Sequence, residues 1–307
     1  MKELYKIYRP KKLKDVIGQE SAVSSLSKMI EKDTIPHAIL LTGPSGCGKT
    51  TLARILSKKV DCGKMDLIEN NCADFKGIDT IREIRSAMVS SPISGKSRVW
   101  IIDECHKLTN DAQNAFLKLL EDTPSHVYFI LCTTEPNRLI KTIRNRCTEI
   151  SVKSLSDKEI EKLISGVCKK EKIKLSEEVI DKIINVSEGS ARKTLVVLHQ
   201  IRDIKSKEEQ LNAISSSISE NQGITIARLL FNTKTKWKEI ANVLKTIEND
   251  DAESIRWLIL GYAKSVLLNG GNLSARAYQV IRVFQDNWYD CKSAGLIAGC
   301  YEIISGQ

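Results

Sequence analysis

The first half of the chain alternates short, continuous apolar runs with amphipathic segments. Ala38–Leu41, Leu67–Glu69, Val99–Ile102 and Val127–Cys132 are mostly β-branched or aliphatic and predict strands. Between them, Thr50–Val60, Asp79–Met88 and Ala112–Leu120 carry apolar residues at helical spacing. A strand that is apolar at every position is buried on both faces. Alternating with helices, such strands predict a parallel sheet covered on both sides. From Asp157 onward the pattern is helix after helix, opened by Ser156 and Glu159 at the spacing of a capping box. The polar stretch Asn212–Gly223 predicts a connection between two helical domains. The expected organisation is an α/β domain over 1–153, a small helical domain over 154–215 and an all-α domain over 216–307.

Composition narrows the class of protein. With 307 residues, 42% apolar and 28% charged, the chain can build ordinary cores, which excludes wholesale disorder. No window reaches the roughly 18 unbroken apolar residues of a membrane span, and the opening MKELYKIYRPKK lacks an apolar signal segment, so no membrane role and no secretion are expected. Lys and Arg exceed Asp and Glu by 47 to 38, a net +9 that suits a polyanionic partner or simply a solvated basic surface. The nine cysteines contain no C-x-x-C pair, so neither a zinc site nor a disulfide framework is expected. They read as reduced, mostly core thiols of a cytoplasmic protein.

Two segments carry chemistry. Gly43-Pro44-Ser45-Gly46-Cys47-Gly48-Lys49-Thr50 fits G-x-x-x-x-G-K-[ST] and follows a predicted strand and precedes a predicted helix, with Thr51 next in that helix. Its glycines let successive N–H groups face a triphosphate, Lys49 reaches the β/γ oxygens, and the Thr50 hydroxyl can ligate Mg2+. Val99-Trp100-Ile101-Ile102-Asp103-Glu104 is an apolar strand ending in two carboxylates. Asp103 is placed to hold the metal's water shell, and Glu104 to orient and deprotonate the attacking water. Together they predict a Mg2+-dependent nucleoside triphosphatase.

These residues resemble an AAA+ ATPase, and specifically the ATPase subunits of sliding-clamp loaders: bacterial gamma/tau, the small subunits of replication factor C, and phage counterparts. The resemblance runs from about Tyr5 to Gln200. Tyr8-Arg9-Pro10 and Val16-Ile17-Gly18-Gln19-Glu20 are similar to the family's adenine-side segment, and Asp103-Glu104-Cys105-His106 resembles its D-E-x-H box. Thr133-Thr134-Glu135-Pro136 occupies the place of the γ-phosphate sensor, with register favouring Thr134 over Thr133. Asn145-Arg146-Cys147 is similar to the family's Ser-Arg-Cys, which implies that Arg146 reaches the ATP of a neighbouring subunit. Gly189-Ser190-Ala191-Arg192 resembles the second sensor, placing Arg192 on its own nucleotide. The resemblance thus implies ATP and Mg2+, a helical lid and an oligomerising helical collar. The chain passes from Val60 almost directly to the next strand, without the zinc module of bacterial gamma/tau subunits, and Asn71 matches an Asn of replication factor C that could restrain Glu104.

The resemblance also implies partners. Lys76, Arg82 and Arg85 around one helix, and Lys118 on the next, match surfaces that follow the backbone of primer–template DNA. Met88, Val89, Pro92 and Ile93 match the stretch that holds the ring-shaped clamp, with core burial the other account of Met88 and Val89. The C-terminal helices, with Trp257–Leu260, Tyr278–Ile281 and Ala294–Ile304, fit a collar joining subunits into a pentameric spiral. Trp288 and Tyr289 read as packing in that collar, with base stacking the alternative. The expected function is an ATPase subunit that loads a sliding clamp at primer–template junctions, in the cytoplasm of a bacterium or a phage-infected host. The competing readings are a catalytically silent ATP-binding scaffold, and a branch-migration helicase or initiator, which would carry a DNA-reading winged helix at its C-terminus.

Overall fold

The computed structural model describes residues 3–72, 77–247, 252–286, 288 and 291–306, with the backbone alone at 78 and 216–221. It divides into two compact units, Met1–Arg202 and Asp203–Gln307.

The first unit is built on a parallel sheet of β1 (Ala38–Thr42), β2 (Cys62–Asn71), β3 (Ser97–Asp103), β4 (Val127–Thr133) and β5 (Thr148–Ser151), in the order β2-β3-β4-β1-β5. Helices α1 (Leu4–Ile7), α2 (Glu20–Glu31), α3 (Lys49–Lys59), α4 (Ile78–Met88), α5 (Asn110–Glu121) and α6 (Lys141–Arg146) surround it. Successive side chains of a strand point to opposite faces, so the central strands divide their residues between two cores. Leu40, Trp100, Ile102, Phe129 and Leu131 join Ile81, Ile84 and Phe116 of α4 and α5. Ile39, Leu41, Val99, Ile101, Ile130 and Cys132 join Leu26 of α2 and Leu52, Ile55 and Leu56 of α3. Phe116 meets Phe129 edge-on, with ring centres 5.2 Å apart.

The edges differ from expectation. β2 spans Cys62–Asn71 rather than three residues, because an edge strand needs only one buried face and its outer residues are polar. β5 was not expected: Thr-Glu-Ile-Ser is no apolar run, and pairing with β1 alone makes it a strand.

Helices α7 (Asp157–Glu171), α8 (Glu177–Ser187) and α9 (Ala191–Ile201) complete this unit. The capping box forms as expected, with Glu159 accepting from the backbone and hydroxyl of Ser156. Gln19, 4% exposed, donates its amide to Lys153 O and accepts from Lys153 N, pinning the N-terminal segment to the β5–α7 connection.

The second unit consists of α10 (Lys207–Phe231), α11 (Trp237–Leu244), α12 (Ala252–Asn269), α13 (Ser274–Phe284) and α14 (Lys292–Ser305). The connection expected at Asn212–Gly223 is instead the middle of α10. No proline interrupts it, Ile214 and Ile226 are buried, and a Cβ on Gly223 would lie 2.8 Å from the Leu258 side chain. That glycine admits α12 at close range and does not mark a hinge. Trp288 packs its ring on Gly295 and Gly299 of α14 and meets Phe284 edge-on, while Tyr289 lies outside the described residues. Among the described residues no helix is long and apolar enough to cross a membrane.

Met88 is 4% exposed and belongs to the sheet core, which corrects its assignment to a clamp-binding surface. Helical spacing puts it beside Ile81 and Ile84. Val89 and Ile93, at 74% and 69% exposure, are the residues that face outward, and Pro92 is half-buried between them. A buried ion pair shapes this segment. Asp66 accepts from the N–H groups of Ile93 and Ser94, and its Oδ1 meets Arg98 at 3.0 Å. Arg98 also donates to the carbonyls of Ala87, Ser90 and Ser91. Burial alone would raise the Asp66 carboxyl, but the two N–H donors and Arg98 outweigh it and hold it below the usual carboxylate range.

Asp66→Ala leaves Arg98 buried and unpaired, so it is expected to destabilise this unit by about 3–5 kcal/mol in urea titrations at pH 7. Because the folded-state pKa is depressed, the contribution is complete above about pH 4 and lost as pH falls further. The gap between wild type and variant therefore narrows on acidification.

Candidate functional site

The C-terminal ends of β1, β3 and β4 lie side by side because β4 is sandwiched between the other two. The loop after β1 turns through Gly43 at φ 143° and Gly46 at φ 75°, a region that side-chain-bearing residues seldom enter. A Cβ on Gly43 would sit 1.9 Å from Val152 O, and one on Gly46 2.1 Å from Ser190 Oγ. The loop ends at Gly48, the N-cap of α3, so the first-turn N–H groups of an 11-residue helix face the cleft.

Lys49 is 6% exposed and donates to Gly43 O at 2.8 Å and Pro44 O at 2.9 Å. Burial lowers its pKa from the usual lysine value, opposed by nearby groups that include Glu104 and Asp103. The Thr50 hydroxyl donates to Asp103 Oδ2 at 2.9 Å, and Asp103 Oδ1 accepts the Glu104 N–H at 3.0 Å. Glu104 has a left-handed backbone, φ 52°. A hydroxyl and a carboxylate brought together are hard oxygen donors of the kind Mg2+ prefers. The cleft, about 620 Å3, is of the size that holds a small organic ligand.

Ser45 to Thr51, Arg9, Pro10, Ile17, Asp103, Glu104 and Arg192 line this cleft. Gly43 and Pro44 contribute through the carbonyls that hold Lys49. Val16 instead packs on the core beside α2 and α3. Cys47, 4% exposed, donates its thiol to Ser45 O and Gly189 O, and burial raises its pKa. Arg192 N donates to Gly46 O at 3.2 Å, so the start of α9 rests on the loop itself.

The remaining expected residues are spread out. Thr133 is buried, its hydroxyl 3.0 Å from His106 Nδ1 and accepting the Glu135 N–H at 3.0 Å, whereas Thr134 is half-buried just beyond β4. Arg146, the last residue of α6, lies outside the cleft lining and pairs with Glu121. Arg82, Arg85 and Lys118 are exposed, Arg82 paired with Asp79, and Lys76 falls outside the described residues. Asn71 stands opposite Asp103 in the β2–β3 register.

Sequence reasoning missed the far wall. Lys162, Leu163, Gly166, Val167 and Lys170 also line the cleft, together with Tyr8 of the expected adenine-side segment. The Tyr8 hydroxyl donates to Glu171 and Lys170 lies over its ring, a pairing across 163 residues. The hydrogen bond to Glu171, with burial, pushes the Tyr8 pKa up to about 12. Three of the missed residues, Lys162, Gly166 and Lys170, recur every fourth position on α7, a faint signal in the sequence.

Strand order, phosphate loop, acidic strand end and helical cover define an AAA+ P-loop protein. The fold of the Thermotoga maritima RuvB Holliday junction branch migration motor superposes with a TM-score of 0.60 at 19% identity, over 78% of this chain and 86% of that one. By sequence the chain is a homologue of the bacterial DNA polymerase III gamma/tau subunits. It is 34% identical to subunit gamma/tau of Mycobacterium tuberculosis over 64% of this chain and 38% of that protein. It is 31% identical to subunit tau of Bacillus subtilis over 86% of this chain and 51% of that protein. The chain thus spans between about a third and a half of those relatives. The family model for the DNA polymerase III delta subunit matches residues 18–80 and 74–156.

Gly46→Ala places a side chain at a left-handed position against the N-cap of α9, which is expected to cost about 1–3 kcal/mol by thermal or urea unfolding and to weaken ATP-analogue binding. Ser190→Ala in the same background recovers only part of the loss, since the backbone strain stays.

Proposed function

We propose that this chain is the ATPase subunit of a clamp loader, which opens a ring-shaped sliding clamp and closes it at primer–template DNA. The observation that carries the reading is the junction of Lys49, Thr50, Asp103 and Glu104 in one cleft against which the start of α9 rests. Homology to gamma/tau subunits supports the replicative role. The likeness to RuvB, at 19% identity, bears on fold alone, and the second unit shows no strand among its described residues.

In this reading the loop N–H groups and Lys49 bind the β/γ-phosphates. Lys49 would exchange the carbonyls of Gly43 and Pro44 for phosphate oxygens, which offsets the cost of burying its charge. Thr50 and Asp103 would hold Mg2+, which supplies neutralisation of the phosphate charge when bound. Glu104 orients the attacking water and takes its proton, and Thr134 contacts the γ-phosphate. Arg192 acts on its own subunit's nucleotide and Arg146, exposed on α6, on the neighbour's. Chemistry then depends on assembly, for which the second unit serves as collar. Arg82, Arg85, Lys118 and Lys76 follow the DNA backbone, while Val89, Pro92 and Ile93 face the clamp. The compartment this implies is the cytoplasm of a bacterium or of a phage-infected cell.

Glu104→Gln is expected to keep ATP binding and lower turnover by about 10^2 to 10^4. Arg146→Ala should lower turnover of the assembled complex by about 10^3 to 10^5 while leaving the isolated chain's weak activity unchanged. A monomeric preparation that hydrolyses ATP at the assembled rate, indifferent to DNA, overturns the reading, and a complex with no Glu104-dependent turnover points to the silent scaffold.

Arg82→Ala combined with Lys118→Ala should spare ATP binding, remove DNA stimulation of hydrolysis and flatten its salt dependence. Stimulation at the wild-type level across a salt titration would remove these residues from the DNA surface.

A further inference from the structure

His106 lies two positions after Glu104, with its side chain 3% exposed. Nδ1 is 3.0 Å from Thr133 Oγ1. Nε2 is 3.4 Å from Glu104 Oε2 and 3.4 Å from Glu135 Oε1. A bare lone pair facing two carboxylate oxygens would be repelled by both, so Nε2 carries a hydrogen in either charge state of the ring. In the neutral ring Nδ1 then accepts the Thr133 O–H, which fixes the tautomer. One N–H therefore faces two acceptors at equal distance, each beyond the roughly 2.7–3.2 Å of an ordinary hydrogen bond. Closing on one means withdrawing from the other.

The two acceptors are held differently. The Glu104 N–H is bonded to Asp103 Oδ1, and its side chain is 29% exposed. Glu135 is oriented by Arg138, whose Nε lies 2.8 Å from Oε2. Its own N–H is donated to Thr133 Oγ1, the atom that faces His106. Thr134 joins Thr133 to Glu135, so any displacement there alters both contacts to the ring.

We propose that His106 is a positioning residue that holds the Glu104 carboxylate through Nε2–H, and that Glu135 competes for this hydrogen and releases Glu104 to the attacking water. This rests on the reading of Glu104 as the water-orienting residue. A carboxylate oxygen engaged by an N–H is turned from the water. Drawing the N–H to Glu135 restores it, and Thr134 is the link through which the γ-phosphate is felt.

A double-mutant cycle tests this on the full chain in its assembled complex with primer–template DNA, by single-turnover ATP hydrolysis, with affinity for a fluorescent ATP analogue measured in parallel. Glu135→Ala is expected to slow hydrolysis about tenfold with affinity little changed, since such couplings are worth about one decade. In a His106→Ala background the same substitution should have no further effect. His106→Gln, which puts an amide N–H near Nε2, should restore sensitivity to Glu135→Ala. If His106→Ala does not fold, Thr133→Val, which frees the tautomer, carries the cycle and should blunt the Glu135→Ala loss. Equal losses with and without His106, or no loss in either, overturn the inference. Glu104→Gln separates the two readings: if it retains turnover, the assignment of Glu104 fails; if it is inactive while the cycle is additive, only the competition fails.

Discussion

The hydrogen bond from Thr50 to Asp103 joins the two halves of the phosphate chemistry, and most of the first unit exists to make it possible. Thr50 opens α3 after β1, and Asp103 ends β3. These strands are not neighbours: β4 lies between them. Their side chains meet because α3, which follows β1, packs against β4 and β3 as well, at the crevice where strand order departs from chain order, the place where open parallel sheets bind ligands. Thr133, at the end of β4, then lies between the loop and the acid, within reach of His106. A sheet with β1 and β3 adjacent would leave no strand end between them.

A second set of contacts makes the loop responsive to the helices that follow the sheet. Gly46 faces Ser190 and Arg192, and the Cys47 thiol reaches Gly189 O. Gly189 O in turn accepts from Leu155 N, beside the Lys153 backbone that Gln19 clasps. Phosphate loop, N-terminal segment and α9 thereby share a few atoms, and Tyr8 closes the far wall through Glu171. Nucleotide binding cannot move one of these segments without loading the others. Occupancy of the cleft is thereby coupled to the start of α9 and to the N-terminal segment.

Outside the cleft, the buried pair of Asp66 and Arg98 does a different task. Desolvating two charges is costly and is offset here by backbone donors and acceptors that saturate both groups. The result is a segment whose backbone is fixed while Val89 and Ile93 stand in water. Apolar side chains held rigidly outward lose little entropy on docking, which suits a partner surface.

Local chemistry was legible from the sequence. The glycines and Lys-Thr pair of the loop, the four apolar strands, the acid pair and the capping box each depend on neighbours within a few positions, so spacing alone carries them. What needed the tertiary structure depends on contacts between distant segments. Thr148–Ser151 becomes a strand only by pairing with β1, and Met88 is core rather than surface because α4 turns that face to the sheet. Gly223 is a contact point rather than a break because α12 passes over it. The wall formed by Tyr8 and α7, and the placement of His106 between two carboxylates, are likewise set by where the chain returns in space. The sequence by itself determined which residues are of the types suited to phosphate and metal, since that is a property of side-chain type and backbone freedom. The tertiary structure alone decided which of them meet, since burial and pairing are properties of surfaces that no single segment possesses.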